Sequence, residues 1–248
     1  PGDMVPAFQQ IILPLGFDGI RRQAEAHLAS LDFNDIENFA RRDFWQSVII
    51  CCEGFSILCE RHAEAARALQ VGADAQRKED LRRIESVCRA IAHNAPQTFH
   101  EAMQLVYFVF VGLFIEGNAG GYSPGLLDQY LLPYYEKERA AGTSDEEILE
   151  LIECFYVKTG EQIWYWNEPA ARHYSGYCAF QNIALGGLDT YGRDAVNPLT
   201  YLMLQAGIDV QMVQPSLSVR ISKKNPEAFF LKVAELVQTG SGFPAVFS

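Results

Sequence analysis

Residues 98 to 135, TFHEAMQLVYFVFVGLFIEGNAGGYSPGLLDQYLLPYY, constrain this chain more than any other stretch. From Leu105 to Ile115 every residue is apolar or Gly. Such a run falls short of the roughly 20 residues a membrane span needs, so the expectation is a helix buried on all sides in a large soluble core. Glu116, Gly117, Asn118, Ala119, Gly120, Gly121, Tyr122 and Ser123 follow it directly. They read as a loop of polar groups and permissive backbone that a rigid core holds in place, which is where a pocket is lined.

The remaining composition narrows the function classes. With 49% hydrophobic and 21% charged residues over 248 positions, the chain can bury a large core. A net charge of -11 disfavours a nucleic-acid partner or an anionic membrane, both of which need clustered Lys and Arg. Cys51, Cys52, Cys59, Cys88, Cys154 and Cys178 form no CxxC pair and lie mostly in apolar helical surroundings. They read as reduced, buried thiols of a cytoplasmic protein. The chain opens on Pro1 and stops just after FPAVF, ends that suggest a piece of a longer polypeptide.

Helical spacing of Phe8, Ile11, Ile12, Leu15 and Ile20 predicts a first helical region that Pro14 and Gly16 interrupt. Asp32 is expected to cap a long second helix with Ile36, Phe39, Phe44, Val48, Ile49, Phe55, Ile57 and Leu58 on its inner stripe. Asp74 starts a third, with Leu81, Ile84, Val87 and Ile91 inward. Residues 1 to 95 thus read as a helical outer layer. Thr98 with Glu101, and Ser144 with Glu147, have capping-box spacing. Pro124 suits the first turn of the helix after the glycine break. The aromatic stretch WYWNEPAARHYSGYCAFQN reads as irregular. From Ile183 onward, strand, helix, strand, helix and strand follow one another, with the helices near 196–207 and 226–238. Connections of that length imply parallel pairing, so residues 96 to 248 read as strands and helices of an α/β barrel or sheet.

Motifs of known chemical types fare less well. His100-Glu101 begins an HExxH pattern, but Gln104 stands where the second His is needed, so helix capping is the better account. Asp189, Gly192 and Asp194 lack the alternating ligands of a calcium loop and read as a tight turn. Gly186-Gly187 and Gly240 to Gly242 have no dinucleotide or phosphate-loop spacing. Cys51-Cys52 point about 100° apart on a helix and read as packing. Cys178 has no local base to activate it. Trp164, Tyr165, Trp166, Tyr174, Tyr177 and Phe180 read equally as core or as pocket wall, and Arg193 and Arg220 as ion-pair formers or anion clamps.

Several phrases in fixed order resemble the glycyl radical enzymes, in the pyruvate formate-lyase-like branch of dehydratases and carbon–heteroatom lyases. They are APQTFHEAMQLVYFV, IEGN with SPGLLDQYLLPYY, GYCAFQNIALGGLDTYGRDAVNPLTYLMLQA and QPSLSVRISKKNPEAFFLKVAELVQTGSGFPAVF. The resemblance implies part of a ten-stranded α/β barrel built from two half-barrels. It also implies hydrogen-atom abstraction from a small substrate, with cleavage of a C–O, C–N, C–S or C–C bond. The thiyl-forming Cys and the radical-bearing Gly lie outside this stretch, so no residue here is assigned a catalytic role and no metal ligand is expected.

What the resemblance assigns here is pocket wall: Asn118, Gly121, Tyr122, Ser123, Phe180 and Trp166. The dehydratase pattern carries a His in this segment. Ala119 to Ser123 has none, which leaves a carbon–sulfur lyase or an arylacetate decarboxylase open. No bound organic cofactor is implied. The implied partners are a small-molecule substrate, the rest of the polypeptide, a second copy in a homodimer, and a separate S-adenosylmethionine and iron–sulfur enzyme that installs the glycyl radical. Should the native chain end at Ser248, the competing expectation is a non-catalytic helical binding or scaffold protein.

Overall fold

The computed structural model describes residues 3–118, 120–163, 165, 167–174 and 180–248. Contacts divide the chain into two compact units, Ala7–Val109 and a second formed by Pro1–Pro6 with Phe110–Ser248.

The first unit is helical. β1 (Asp3–Met4) belongs to the second unit, and a π-helical turn over Phe8–Ile12 then leads into α1 (Leu13–Ala29). Gly16 breaks α1 as expected, at φ 61°, where a Cβ would lie 2.7 Å from the Asn94 carbonyl oxygen. Only glycine combines that conformation with that approach. α2 (Glu37–Leu69) starts later than Asp32 suggests, because Asp32 accepts from Asn34 N–H and closes a local turn instead. Its inner face also differs from the expected stripe. Ile36, Phe39, Phe44 and Ile57 are exposed, whereas Cys52, Ser56, Cys59, Ala63 and Ala66 are buried. Their alternating spacing of four and three is a helix-packing seam, and small side chains allow α1 and α3 (Ala75–His93) to approach closely. The Ser56 hydroxyl donates to the Ala92 carbonyl at 2.7 Å across that seam. Asp74 caps α3 through Arg77 N–H, and Leu81, Val87 and Ile91 point inward.

α4 (Phe99–Gly117) is the apolar helix of the opening segment. Thr98 accepts from Glu101 N–H, and the Glu101 carboxylate reaches back to Gln97 N–H at 2.6 Å, which confirms the capping role of the would-be metal motif. On length and composition alone α4 could cross a membrane, but Phe99, Leu105, Val106, Phe108 and Phe110 are all buried within the protein. Its last turn is not: Ile115 is 71% exposed, so burial on all sides fails at the end next to the glycines.

The second unit is built on five parallel strands in sequential order: β1, β2 (Gly121–Gly125), β3 (Phe180–Gly186), β4 (Ser216–Arg220) and β5 (Ala245–Phe247). Sequential parallel order is what one half of a ten-stranded barrel requires. Between β2 and β3 lie the short α5 (Leu127–Tyr130), α6 (Leu132–Ala141), α7 (Asp145–Thr159) and α8 (Glu168–Tyr174). α9 (Pro198–Val210) joins β3 to β4, and α10 (Glu227–Gln238) joins β4 to β5. The capping box expected at α7 forms through Ser144 with Glu147, and α9 carries a further one, Asn197 with Thr200. Two readings are corrected. Residues 121–125 form a strand and not a loop, and Pro124 sits inside it where the register shifts, so its missing N–H costs no ladder bond. The stretch read as irregular contains α8, whose first turn is fixed by Asn167 accepting from Ala170 N–H.

One buried carboxyl ties these elements together. Asp128 on α5 is fully buried and accepts from Gly186 N–H at 2.9 Å and from the Thr200 hydroxyl at 2.6 Å. Both bonds fall on Oδ2, while Oδ1 has no partner. Its carbonyl accepts from the Asn197 amide as well. Burial pushes the Asp128 pKa up from 3.8, against the opposing pull of the Thr200 and Gly186 bonds.

In the intact polypeptide, Asp128→Ala should lower stability by about 1–3 kcal/mol, because it strands the Gly186 and Thr200 donors. Asp128→Asn retains an acceptor oxygen for both and should cost less. With its folded value raised, Asp128 keeps a proton in the fold that the unfolded chain has released. That contribution is whole below 3.8 and is lost as pH rises through the folded value. Denaturation across this pH range should therefore show a flatter profile for Asp128→Asn than for the parent protein. Parallel profiles would show that Asp128 carries no such linkage.

Candidate functional site

In a parallel pair, residues in register share a face, and successive residues alternate. Gln181, Ile183 and Leu185 of β3, with Leu217 and Val219 of β4, are buried on the side that carries the helices. Gln181 shows which side that is, since its amide donates to the Thr159 carbonyl at the end of α7. Phe180, Asn182 and Ala184, with Ser216, Ser218 and Arg220, therefore occupy the opposite face. Phe180 is 54% exposed there and Asn182 is exposed too.

β2 sorts the expected wall residues by the same rule. Gly121 is in register with Phe180, and Tyr122 with Gln181. Gly121 accordingly shares the face of Phe180, while Ser123 is half-buried within the register shift between Tyr122 and Gly125. Tyr122, expected beside them, is on the helix-bearing side: it is 2% exposed, with its ring 4.8 Å from that of Phe110. Burial holds the Tyr122 phenol well above its ordinary pKa, so it stays neutral.

Asn118 has a different task again. It ends α4 in the left-handed region at φ 44°, with its N–H donating to the Phe114 carbonyl at 2.8 Å. Its side-chain amide clasps the backbone of Tyr165: Nδ2 donates to the carbonyl at 2.8 Å and Oδ1 accepts the N–H at 3.2 Å. Both ends of the amide are thus engaged by backbone, and Asn suits the left-handed position as well. Trp166, Ala119 and Cys178 lie outside the described residues.

Arg193 pairs with Asp189 at 2.7 Å and lies over the Tyr191 ring on the surface. Among the described residues Arg220 makes no ion pair; its guanidinium donates to the carbonyls of Gly186 and Leu188 at 2.8 and 3.0 Å, closing the end of β3. Gly187, at φ 83°, makes room for it, since a Cβ there would come within 2.7 Å of the Arg220 Cβ. Asp189 accepts from Tyr191 and Arg193 N–H, which fixes the tight turn read from the sequence. The five described thiols are on helices α2, α3 and α7; burial raises Cys52 and Cys88 to about 11 and Cys59 to about 12, so these three are neutral near pH 7. Cys51 and Cys154 are exposed, contrary to the expectation that they are buried.

Asn182 and Ser218 are not among the wall residues expected from the sequence. The Ser218 hydroxyl donates to Asn182 Oδ1 at 2.7 Å, joining β3 to β4 on the open face. For Ser218 the signal is present in the sequence, since Ser216, Ser218 and Arg220 alternate with Leu217 and Val219.

A pyruvate formate lyase-like family model matches residues 1–248. The trans-4-hydroxy-L-proline dehydratase of Clostridioides difficile is 34% identical over 244 residues, covering 94% of this chain and 30% of its own. An isethionate sulfite-lyase of Bilophila wadsworthia is 35% identical over 240 residues, covering 95% of this chain and 29% of its own. The glycerol-bound form of the B12-independent glycerol dehydratase from Clostridium butyricum superposes with a TM-score of 0.93 at 34% identity, over 99% of this chain and 31% of that one. The chain thus spans less than one third of each of these proteins.

Asn118→Gly should keep the left-handed turn yet release Tyr165, speeding amide hydrogen exchange at Tyr165. Asn118→Ala should in addition destabilise by about 1 kcal/mol through backbone strain. Unchanged exchange at Tyr165 in both variants would show that the amide clasp does not hold this segment.

Proposed function

Because this chain belongs to the pyruvate formate lyase-like family, we propose that it forms one part of a glycyl radical lyase or dehydratase acting on a small substrate. The observation that carries the reading is the family match along all of residues 1–248. The radical, borne by a glycine elsewhere in the polypeptide, supplies hydrogen-atom abstraction leading to C–O, C–N, C–S or C–C cleavage. Its installation is the task of a separate S-adenosylmethionine and iron–sulfur enzyme. The intact polypeptide works as a cytoplasmic homodimer.

This segment contributes shape and exclusion of water. Gly121, Ser123 and Phe180 form wall on the open face of the sheet. Tyr122 backs that wall from the core, and Asn118 positions the segment around Tyr165. A radical intermediate needs a dry and rigid enclosure, and positions on strands are held more closely than positions on loops.

Activated anaerobically, the intact polypeptide should develop a glycyl radical signal by electron paramagnetic resonance. Silence after verified activation would overturn the reading. Phe180→Ala should lower kcat/KM by about tenfold or more, the loss of one well-packed aromatic contact, while leaving the radical yield unchanged. Kinetics unaltered in both Phe180→Ala and Ser123→Ala would remove these residues from the wall.

A further inference from the structure

The pair formed by Asn182 and Ser218 is not explained by the packing of the sheet. A strand inside a parallel sheet is ordinarily covered on both faces and reads as a near-continuous apolar run, and Asn is depleted from strands. β3 and β4 meet that description only on their helix-bearing side, through Ile183, Leu185, Leu217 and Val219. On the other side Asn182 and Ser218 stand together, with Ser216 in register beside Asn182. The Ser216 hydroxyl is turned to the Gln181 carbonyl at 2.8 Å, so it serves the strand itself.

The Asn182 amide is only half used. Its Oδ1 accepts the Ser218 hydroxyl at 2.7 Å, a contact that fixes which end of the amide faces the sheet. Nδ2, with two N–H donors, faces the open side and makes no hydrogen bond among the described residues. Asn182 is exposed, whereas Ser218 is 6% exposed beneath it. Two positions earlier on the same face is the exposed ring of Phe180. Two positions beyond Ser218 is Arg220, whose guanidinium is held by the Gly186 and Leu188 carbonyls. Neither β3 nor β4 contains a carboxylate. What the face offers is therefore a pair of fixed N–H donors beside an aromatic wall.

We infer that Asn182, oriented by Ser218, is a specificity-determining residue that donates a hydrogen bond to an oxygen of the substrate, Ser218 being its positioning residue. The inference rests on the proposed function and adds to it a named recognition contact. The shared ligand chemistry is an oxygen acceptor, from a hydroxyl, a carboxylate or a sulfonate group. If the pair served only to join two strands, its loss would lower stability without selecting among ligands.

The test uses the intact polypeptide before activation. Its melting temperature is followed with glycerol, trans-4-hydroxy-L-proline and isethionate titrated separately, arms that distinguish hydroxyl, carboxylate and sulfonate oxygens. At least one should stabilise the parent protein, and Asn182→Ala should weaken that effect about tenfold, the loss of one buried hydrogen bond. Asn182→Asp, which replaces the donors with an anion, should abolish stabilisation by an anionic ligand, and Ser218→Ala should give a smaller loss. The inference is overturned if none of the three compounds stabilises the parent, or if Asn182→Asp and Asn182→Ala keep the parent affinity. Should Asn182→Ala fail to fold, Asn182→Asp and Ser218→Ala decide the matter. The glycyl radical signal after activation is scored in parallel. A signal with unchanged affinities defeats this inference alone, and its absence from the parent defeats the proposed function.

Discussion

The open face depends on β3 being held at both ends, since it is the central strand of the five. At its start, Phe180 N–H donates to the Gly120 carbonyl and Gln181 N–H to the Gln214 side chain, while the Gln181 amide reaches the end of α7. At its end, Gly186 N–H is taken by Asp128 and its carbonyl by Arg220. Each anchor is a buried polar group that would be costly without its partner, so the set behaves as an over-determined frame. Between these anchors, residues 182 to 185 have little freedom to change register. A one-residue slip would exchange the core face for the open face.

Helix starts were the most legible feature of the sequence, because a cap is a local event. Asp74, Thr98, Ser144 and Asn197 all fall at or beside helix starts. α2 shows where legibility fails. Large apolar residues at helical spacing suggested an inner stripe, yet Cys52, Ser56, Cys59, Ala63 and Ala66 form the seam. Close approach of helices favours small side chains, and a reading that ranks residues by hydrophobicity alone will set these aside. β2 was hidden for a related reason. Gly121, Pro124 and Gly125 are poor strand formers, and pairing with β1 and β3 makes the segment a strand.

The glycine break after α4 marks in the sequence where a pocket is lined, and the resemblance supplies the individual wall residues. The block from Asn118 to Ser123 was legible as important but not in its division of labour. Read as a loop, all of its side chains could face one ligand. As a helix terminus followed by a strand, they cannot. Asn118 is committed to the Tyr165 backbone, Tyr122 to the core beside Phe110, and Gly121 to the open face.

That division also changes what the missing His of this segment means. A residue on a strand has one of two directions open to it, fixed by the parity of its position relative to Phe180 and Gln181. Position 121 points to the open face but carries no side chain, and position 122 carries a large one but points away. On the proposed reading the wall at this height is set by glycine backbone, and the polar contact that a His would supply comes from another strand. β3 is the nearest strand on that face with a donor to offer, at Asn182. Loss of a polar side chain from one strand and an underused amide on its neighbour are together what is expected when a pocket keeps its enclosure but moves the point at which it grips its ligand.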